Sequence, residues 1–526
     1  MTSHLPISMV AIPMFTAAVG LLLGALSKDT AKVLGQQRGL GRASLLVLMV
    51  LAGLMLQATA TGEVLVVRLG NWPSPFSIAL AVDRLSALMV ALTMLLAFFV
   101  QWAARDGADA RGPYFHPLLQ FQVMGLAGAF MTGDLFNLFV FFEILLIASY
   151  ALLLYGRGRA RLRAGLHYVV INLVGSALFL IGVGVIYGLL GTLNMADLAA
   201  KASLVSEADA PLLHAGALLL LLVFALKAAV VPVHLWLPAT YHAPVGPVSA
   251  LFAIMTKVGV YGIIRVFVPI FGPGQGWASG VAEPWVLPLG LVTLVAGSLG
   301  VLAATDLKKM VTYLVVASVG TQVTAVGLFT EQALAAATFY IVHSTLVTAG
   351  FFLLADAIAL RRGEAGGRLS AAPLMPQARP LAILYLLAAV STAGLPPLSG
   401  FIGKALILAA VPDAVQPVVW TVVLLTSFLL LVQLARIGSV LFWNLSGLRD
   451  DAEPAAPSVR SVGPAAVMLA FSAVLALFGE RLDVFSRATA AQIYDRQATI
   501  DRVMNDAEPW PKTWPEQSPR QTEDGS

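Results

Sequence analysis

The chain contains no cysteine, which excludes disulfides, thiolate chemistry and cysteine-ligated metals or clusters. Charge is scarce as well. Only 11% of the 526 residues are charged, 59% are hydrophobic, and the mean hydropathy is +0.86. A water-soluble protein of this length needs far more polar surface. The formal net charge of +4 says little about partners, and no nucleic-acid partner is expected. Walker, dinucleotide and CxxC fingerprints are missing from the sequence, and Gly272-Pro-Gly-Gln-Gly276 reads as a plain turn. No cofactor, whether nucleotide, flavin or iron–sulfur cluster, is expected.

What the sequence does have is long apolar runs. A bilayer span needs about 20 residues. Fourteen runs qualify, at 6–26, 43–61, 84–103, 116–132, 135–155, 166–190, 212–231, 247–270, 285–304, 310–329, 332–359, 380–409, 416–443 and 462–479. The expected fold class is an all-α polytopic membrane protein with about 14 transmembrane helices. The first run has no basic residue ahead of it and reads as an uncleaved span rather than a signal peptide. The tail from Glu508, rich in Pro, Trp and polar residues, is expected to be poorly ordered.

Lys and Arg alternate between loops. Lys28, Lys32, Arg38 and Arg42 lie between the first two runs, Arg157 to Arg163 between the fifth and sixth, and Arg361 to Arg379 between the eleventh and twelfth. Even-numbered loops carry few, such as Arg68, Arg84 and Lys201. The positive-inside rule then places odd loops in the cytoplasm and both termini outside.

Against this background, charges inside the runs stand out. Lys227 lies within an apolar stretch, where a charge costs about 3 kcal/mol on insertion scales. Pro232 should break that helix five residues later. Lys404 follows a second breaker, Pro396-Pro397. Glu143 is the only charge in its span and has Lys227 as a candidate partner. Lys257, with Tyr261 one turn on, and His343 are also deep. In order, Glu143, Lys227, Lys257, His343 and Lys404 read as a polar line for protons. The bland alternative is a set of structural ion pairs and helix–helix hydrogen bonds.

Other groups have simpler expected roles. Arg265 and Arg436 should snorkel to a membrane surface. Asp134, Asp306, Lys308 and Lys309 should anchor span ends, and Asp356 should pair with a neighbouring arginine. His234 and His242 follow the break, where they either gate water entry or satisfy freed backbone groups; His234 is the better candidate for proton entry, with Pro232, Pro396 and Pro397 as possible gates.

A weak repeat is visible. Asp134-Leu135 and Asp306-Leu307 each open a helix, with Ala148-Ser149 and Ala317-Ser318 inside, and each leads two spans later to a proline-broken helix bearing a lysine. Units of five spans are inverted with respect to each other, a transporter architecture. The expected division is N-terminal helices over 1–132, a first repeat over 116–270, a second over 285–443, and a last helix with a polar tail over 462–526.

The stretches Gly70-Asn-Trp-Pro-Ser-Pro-Phe76, Met131-Thr-Gly-Asp-Leu-Phe-Asn-Leu-Phe-Val-Phe-Phe-Glu143, Pro232-Val-His-Leu-Trp-Leu-Pro-Ala-Thr-Tyr-His-Ala-Pro244 and Gly394 to Lys404 carry a resemblance. Over about residues 5–480 the chain resembles the antiporter-like membrane subunits of complex I, membrane-bound hydrogenases and Mrp-type multisubunit cation/proton antiporters, most of all the Mrp D-type subunits. The resemblance implies fourteen spans, broken helices 7 and 12, and obligate partner subunits. It implies roles for Glu143 and Lys227 as a switch pair, Lys257 and His343 as connectors, and Lys404 as the terminal lysine. The implied activity is exchange of Na+ or K+ for H+ by a transporter component rather than an enzyme. The alternatives are a proton-translocating component of a redox complex and a structural scaffold.

Overall fold

Apolar runs of this length fold as helices because a bilayer offers no partner for backbone N–H and C=O groups. In the computed structural model, which describes residues 4–505 except 73, 76 and 445–461, eleven helices are long and apolar enough to cross a membrane. The tail from Glu508 lies outside the described residues. Three further elements bring the count to the fourteen expected. Phe115–Met131 has 17 residues and carries buried Gln120 and Gln122, which lower its hydropathy. Ala378–Ala393 and Ser399–Ala409 are the halves of one broken span. Gly463–Leu477 is the last, bent by 81° from Gly479–Tyr494. The chain is a multi-pass membrane protein.

Successive helices run between two ends of the bundle. One end carries a short hairpin in which Leu65–Arg68 pairs antiparallel with Ala79–Val82. We call it the hairpin end. The other is the basic end, where Arg38, Arg161 and Arg362 lie.

The repeat is written in backbone hydrogen bonds. Asp134 caps Leu135–Leu154 through Asn137 N at 2.8 Å, at the hairpin end. Asp306 caps Leu307–Val326 through Lys308 N at 2.9 Å, at the basic end. Such caps are worth about 1 kcal/mol each. Each aspartate also sits in an isolated antiparallel bridge, Asp134 with Asn194 and Asp306 with Arg368. The bridges match bond for bond. Leu135 N donates to Leu193 O at 2.9 Å and Met195 N to Gly133 O at 2.8 Å; Leu307 N donates to Gly367 O at 2.7 Å and Leu369 N to Thr305 O at 2.9 Å. One motif at opposite ends makes the units inverted. Aligned on these caps, Ser149 corresponds to Thr321, so the Ala148-Ser149 and Ala317-Ser318 pairs lie three residues out of register. Val315 occupies the place of Glu143, so the second unit lacks that carboxylate.

Both broken helices are present. Ala210–Ala228 stops at Ala229, whose φ of 60° is left-handed, and the chain resumes as Trp236–His242. Ala378–Ala393 stops at Gly394, with φ of 82°, and resumes at Ser399. Gly400 allows the second break to close tightly: a Cβ there would lie 1.8 Å from Ser391 O.

The polar segment after the last span is ordered against the bundle as far as it is described. Gly479–Tyr494 and Arg496–Asn505 are helical and lie across the hairpin end. Arg84 donates to Ala488 O at 3.1 Å, Gln492 to Gly62 O at 3.0 Å and Arg68 to Val503 O at 3.0 Å.

Candidate functional site

Glu143 and Lys227 are each held by the same third helix. Asn172 and Ser176 lie four residues apart on Arg159–Leu190, hence one turn apart on one face. Ser176 Oγ donates a short hydrogen bond to Glu143 Oε1. Lys227 Nζ donates to Asn172 Oδ1 at 3.0 Å and stands 5.9 Å from the Phe142 ring centre. Among the described residues no ion pair within 4 Å joins the two charges. The carboxylate and the ammonium are coupled through space, across the Asn–Ser turn.

Lys257, on Met255–Phe267, is wholly buried, and its Nζ has no hydrogen-bond partner among the described residues. Neighbouring Thr256 Oγ1 has none either. Buried polar atoms of this kind are ordinarily met by ordered water. Gly259 brings this helix onto the end of Ala210–Ala228, since a Cβ there would lie 2.3 Å from Ala228 N. Lys257 therefore rides beside the first break.

His343 is 2% exposed, and its Nδ1 meets Ser399 Oγ at 2.7 Å, in the first turn after the second break. Ser399 meets Ser472 of the last span at 2.9 Å, and Ser391 donates to Ser472 at 2.9 Å. Lys257 and Lys404 both lie within electrostatic range of His343. A cavity of about 20 Å³, room for one water, is lined by His343, Tyr340, Ser344, Lys404 and Ser427. It joins His343 to Lys404.

Lys404 folds back on the break. Its Nζ donates to Ala393 O at 2.8 Å, Thr392 O at 3.3 Å and Ser427 Oγ at 2.9 Å. The ammonium thus caps the carbonyl end of Ala378–Ala393, where the helix dipole favours a cation. The first break is capped differently: Trp236 Nε1 donates to Leu226 O at 3.0 Å, which leaves Lys227 to Asn172.

The remaining groups sit as follows. His234 is half-buried, with Nδ1 buried and unpartnered among the described residues. Pro232, Pro396 and Pro397 all lie exposed at the breaks. His242 meets Asp306 at 3.1 Å. Burial works to raise the Asp306 carboxyl, but the His242 contact and the backbone N–H groups of Lys308 and Lys309 hold it below the usual carboxylate range. Asp134 accepts from the backbone N–H groups of Asn137 and Phe136 without a histidine contact of that kind, and burial outweighs them and pushes its carboxyl up. Lys308 Nζ donates to Pro244 O, which ties the end of the first broken segment to the second repeat. Asp356 lies against Gly246, within electrostatic reach of Arg161 and Lys308.

Arg265 corrects the expectation of snorkelling. Its guanidinium forms a buried fork with Asp83 and donates to Tyr261 Oη at 2.8 Å and Ser86 Oγ at 2.7 Å. Tyr261 Oη in turn donates to Phe130 O at 2.6 Å. A full carboxylate partner 182 residues away removes any need to reach water. Asn172, Ser176, Ser399, Ser427 and Ser472 join the site without having been expected from the sequence. The faint available clue is spacing: Asn172 and Ser176 fall one turn apart in an otherwise apolar helix.

An inverted pair of five-helix units around two mid-helix breaks, with buried cations at each, defines an antiporter-like membrane protein. The chain belongs to the NADH:quinone oxidoreductase/Mrp antiporter transmembrane family, whose model matches residues 132–430. It is 38% identical to the D subunit of a probable K(+)/H(+) antiporter of Rhizobium meliloti, over 95% of this chain and 96% of that one. It is 34% identical to the D subunit of a Na(+)/H(+) antiporter of Bacillus subtilis, over 87% of this chain and 92% of that one. Among solved structures, a component of the Mrp complex from Dietzia sp. superposes with a TM-score of 0.84 at 29% identity, covering 96% of this chain and 99% of that one. A component of respiratory complex I from Thermus thermophilus shares the fold, with a TM-score of 0.75 at 24% identity over 94% of this chain and 100% of that one.

Proposed function

We propose that the chain is the D subunit of a multisubunit Mrp-type antiporter that exchanges a monovalent cation, Na+ or K+, for protons. The observation that carries this reading is the near full-length likeness to antiporter D subunits. The protein acts as a transporter component within a hetero-oligomer and serves pH homeostasis. It resides in a bacterial cytoplasmic (inner) membrane with the hairpin end, and hence the N-terminus, outside; the excess of Lys and Arg at the basic end supports that orientation. The alternative, a proton-translocating component of a redox complex, has the shared fold and a family that spans both classes behind it, but neither of the near full-length D-subunit relatives named above.

The proton line is Glu143, Lys227, Lys257, His343 and Lys404. A proton reaching Glu143 cancels its attraction for Lys227, and the ammonium is then free to leave Asn172 or shed its own proton toward Lys257. His343, Ser399 and the water-sized cavity carry it on to Lys404 once the Lys404 ammonium has released its own proton to the far side. The proline breaks and His234 form the gates. The proposed working units are the five-helix repeats over 116–270 and 285–443, flanked by 1–132 and 462–526.

The test is cation-induced proton movement in inverted vesicles that carry the full complex. Sodium or potassium should dissipate a preformed ΔpH with the wild-type chain and fail to do so with Lys227→Ala, with every subunit present. Retained exchange in the assembled mutant would remove Lys227 from the path. No response of the wild type to either cation would favour the redox reading.

A further inference from the structure

Gln101 has half of its amide unmet. The residue is 3% exposed, near the end of Arg84–Ala104 at the basic end. Its Nε2 donates to Arg38 O at 3.3 Å and meets His116 Nδ1 at 3.2 Å. Donation to a carbonyl fixes which amide atom is nitrogen. Oε1 is therefore an acceptor, and it is buried with no partner among the described residues. Gln101 lines a surface cavity of about 270 Å³ together with Arg42, Phe98, Trp102 and Arg105.

These residues combine three chemistries. Arg42 makes no hydrogen bond among the described residues and presents a planar set of donors suited to a phosphate. Arg105 adds a second positive charge at the exposed rim. Gln101 Oε1 wants a hydroxyl donor. Phe98 and Trp102 wall the cavity with aromatic surface, and Trp is the residue that favours the headgroup level of a bilayer. The depth agrees. Arg42 directly precedes the apolar run at 43–61, and Arg105 closely follows the run at 84–103. The start of the last span closes one side, since Gly463 packs on Trp102.

We propose that this cavity binds the headgroup of an anionic phospholipid that carries a hydroxyl beside its phosphate, of the phosphatidylglycerol kind, from the leaflet at the basic end. Arg42 and Arg105 take the phosphate, Gln101 Oε1 accepts from the headgroup hydroxyl, and Phe98 and Trp102 lie along the glycerol backbone. A free inorganic anion would leave both the aromatic walls and the Gln101 acceptor unused. Basic pockets between spans on the positive side are known to recognise anionic lipid. The site stands apart from the polar line and does not rest on the transport reading.

The test is photo-crosslinking of the assembled complex in vesicles that contain a photoactivatable phosphatidylglycerol, with the labelled peptides mapped. The expected label falls on peptides containing 98–105 or Arg42, and excess unlabelled phosphatidylglycerol suppresses it while phosphatidylcholine does not. Arg42→Gln should lower the labelling about tenfold, as loss of one charge-assisted contact predicts. Arg105→Gln, at the exposed rim, serves as a second variant if Arg42→Gln does not assemble, and should lower labelling several-fold. Equal suppression by phosphatidylcholine, or wild-type labelling in an assembled variant, would overturn the proposal. Suppression by inorganic phosphate alone would show a free-anion site instead of a lipid site.

Discussion

Among the described residues, the side-chain hydrogen bonds of Glu143 and Lys227 both run to a third helix: Ser176 holds the carboxylate, and Asn172, one turn away, holds the ammonium. A direct ion pair locks when it forms. A bridged pair can loosen on one side without pulling the other side open. Asn172→Ala and Ser176→Ala should each slow exchange roughly 10- to 100-fold, the equivalent of one hydrogen bond to a charged group. Vesicle assays with a ΔpH dye measure this directly. Wild-type rates in either assembled variant would show that the bridge is incidental.

Ser399 and Ser472 act as one unit behind His343. Alanine at either position should lower exchange several-fold, and the double variant should be little worse than the worse single. Simple additivity of the two losses, measured as rates in the same vesicles, would separate Ser472 from the histidine.

The second break depends on a missing side chain. Gly400→Ala places a Cβ against Ser391 O, and the halves of the broken span must part. A loss of about 1–3 kcal/mol in stability is expected. Gly53 is the control: a Cβ there meets nothing within 4 Å, so Gly53→Ala should be neutral or gain about 0.5–1 kcal/mol. Thermal unfolding of the purified complex distinguishes the two.

Asp109, in the loop at the basic end, joins three elements. It forks with Arg38 at 2.7 Å and meets His116 at 3.0 Å, with its own side chain wholly buried. Burial alone would raise this carboxyl, but Arg38 and His116 hold it below the usual range. A depressed carboxyl contributes stability above its unfolded value, about 3.9, and loses it as pH falls through the folded value. Asp109→Asn should therefore cost roughly 1.5–3 kcal/mol at neutral pH and progressively less below about pH 4. Unfolding midpoints measured from pH 3 to pH 8 test this. A constant gap between variant and wild type would contradict it.

The spans, the two breaks and the capping aspartates are legible in the sequence because each has a strong local cause: apolar length, proline, and a carboxylate just before a helix. A lone charge in an apolar run is equally plain, so Glu143, Lys227, Lys257 and Lys404 stand out. Their holders do not. Ser and Asn carry no charge, and a hydroxyl or amide in a span usually finds a partner on a neighbouring helix, so Ser176, Asn172 and Ser399 look like any other small polar residue until the third dimension is known. Arg265 misleads because its position near a run's end suggests water, while its actual partner, Asp83, is far away in sequence. The polar helices after the last span are hidden because their support is tertiary. They fold against Gly62, Arg68 and Arg84, and intrinsic propensity does not reveal such contacts.

That last packing has a consequence for how the protein is made. Residue 503 is hydrogen-bonded to residue 68, 435 positions earlier. The segment around Gly62, Arg68 and Arg84 thus stays open until the helices over 479–505 arrive to cover it. The hairpin end therefore matures only after residue 503 has been made, however early its own residues fold.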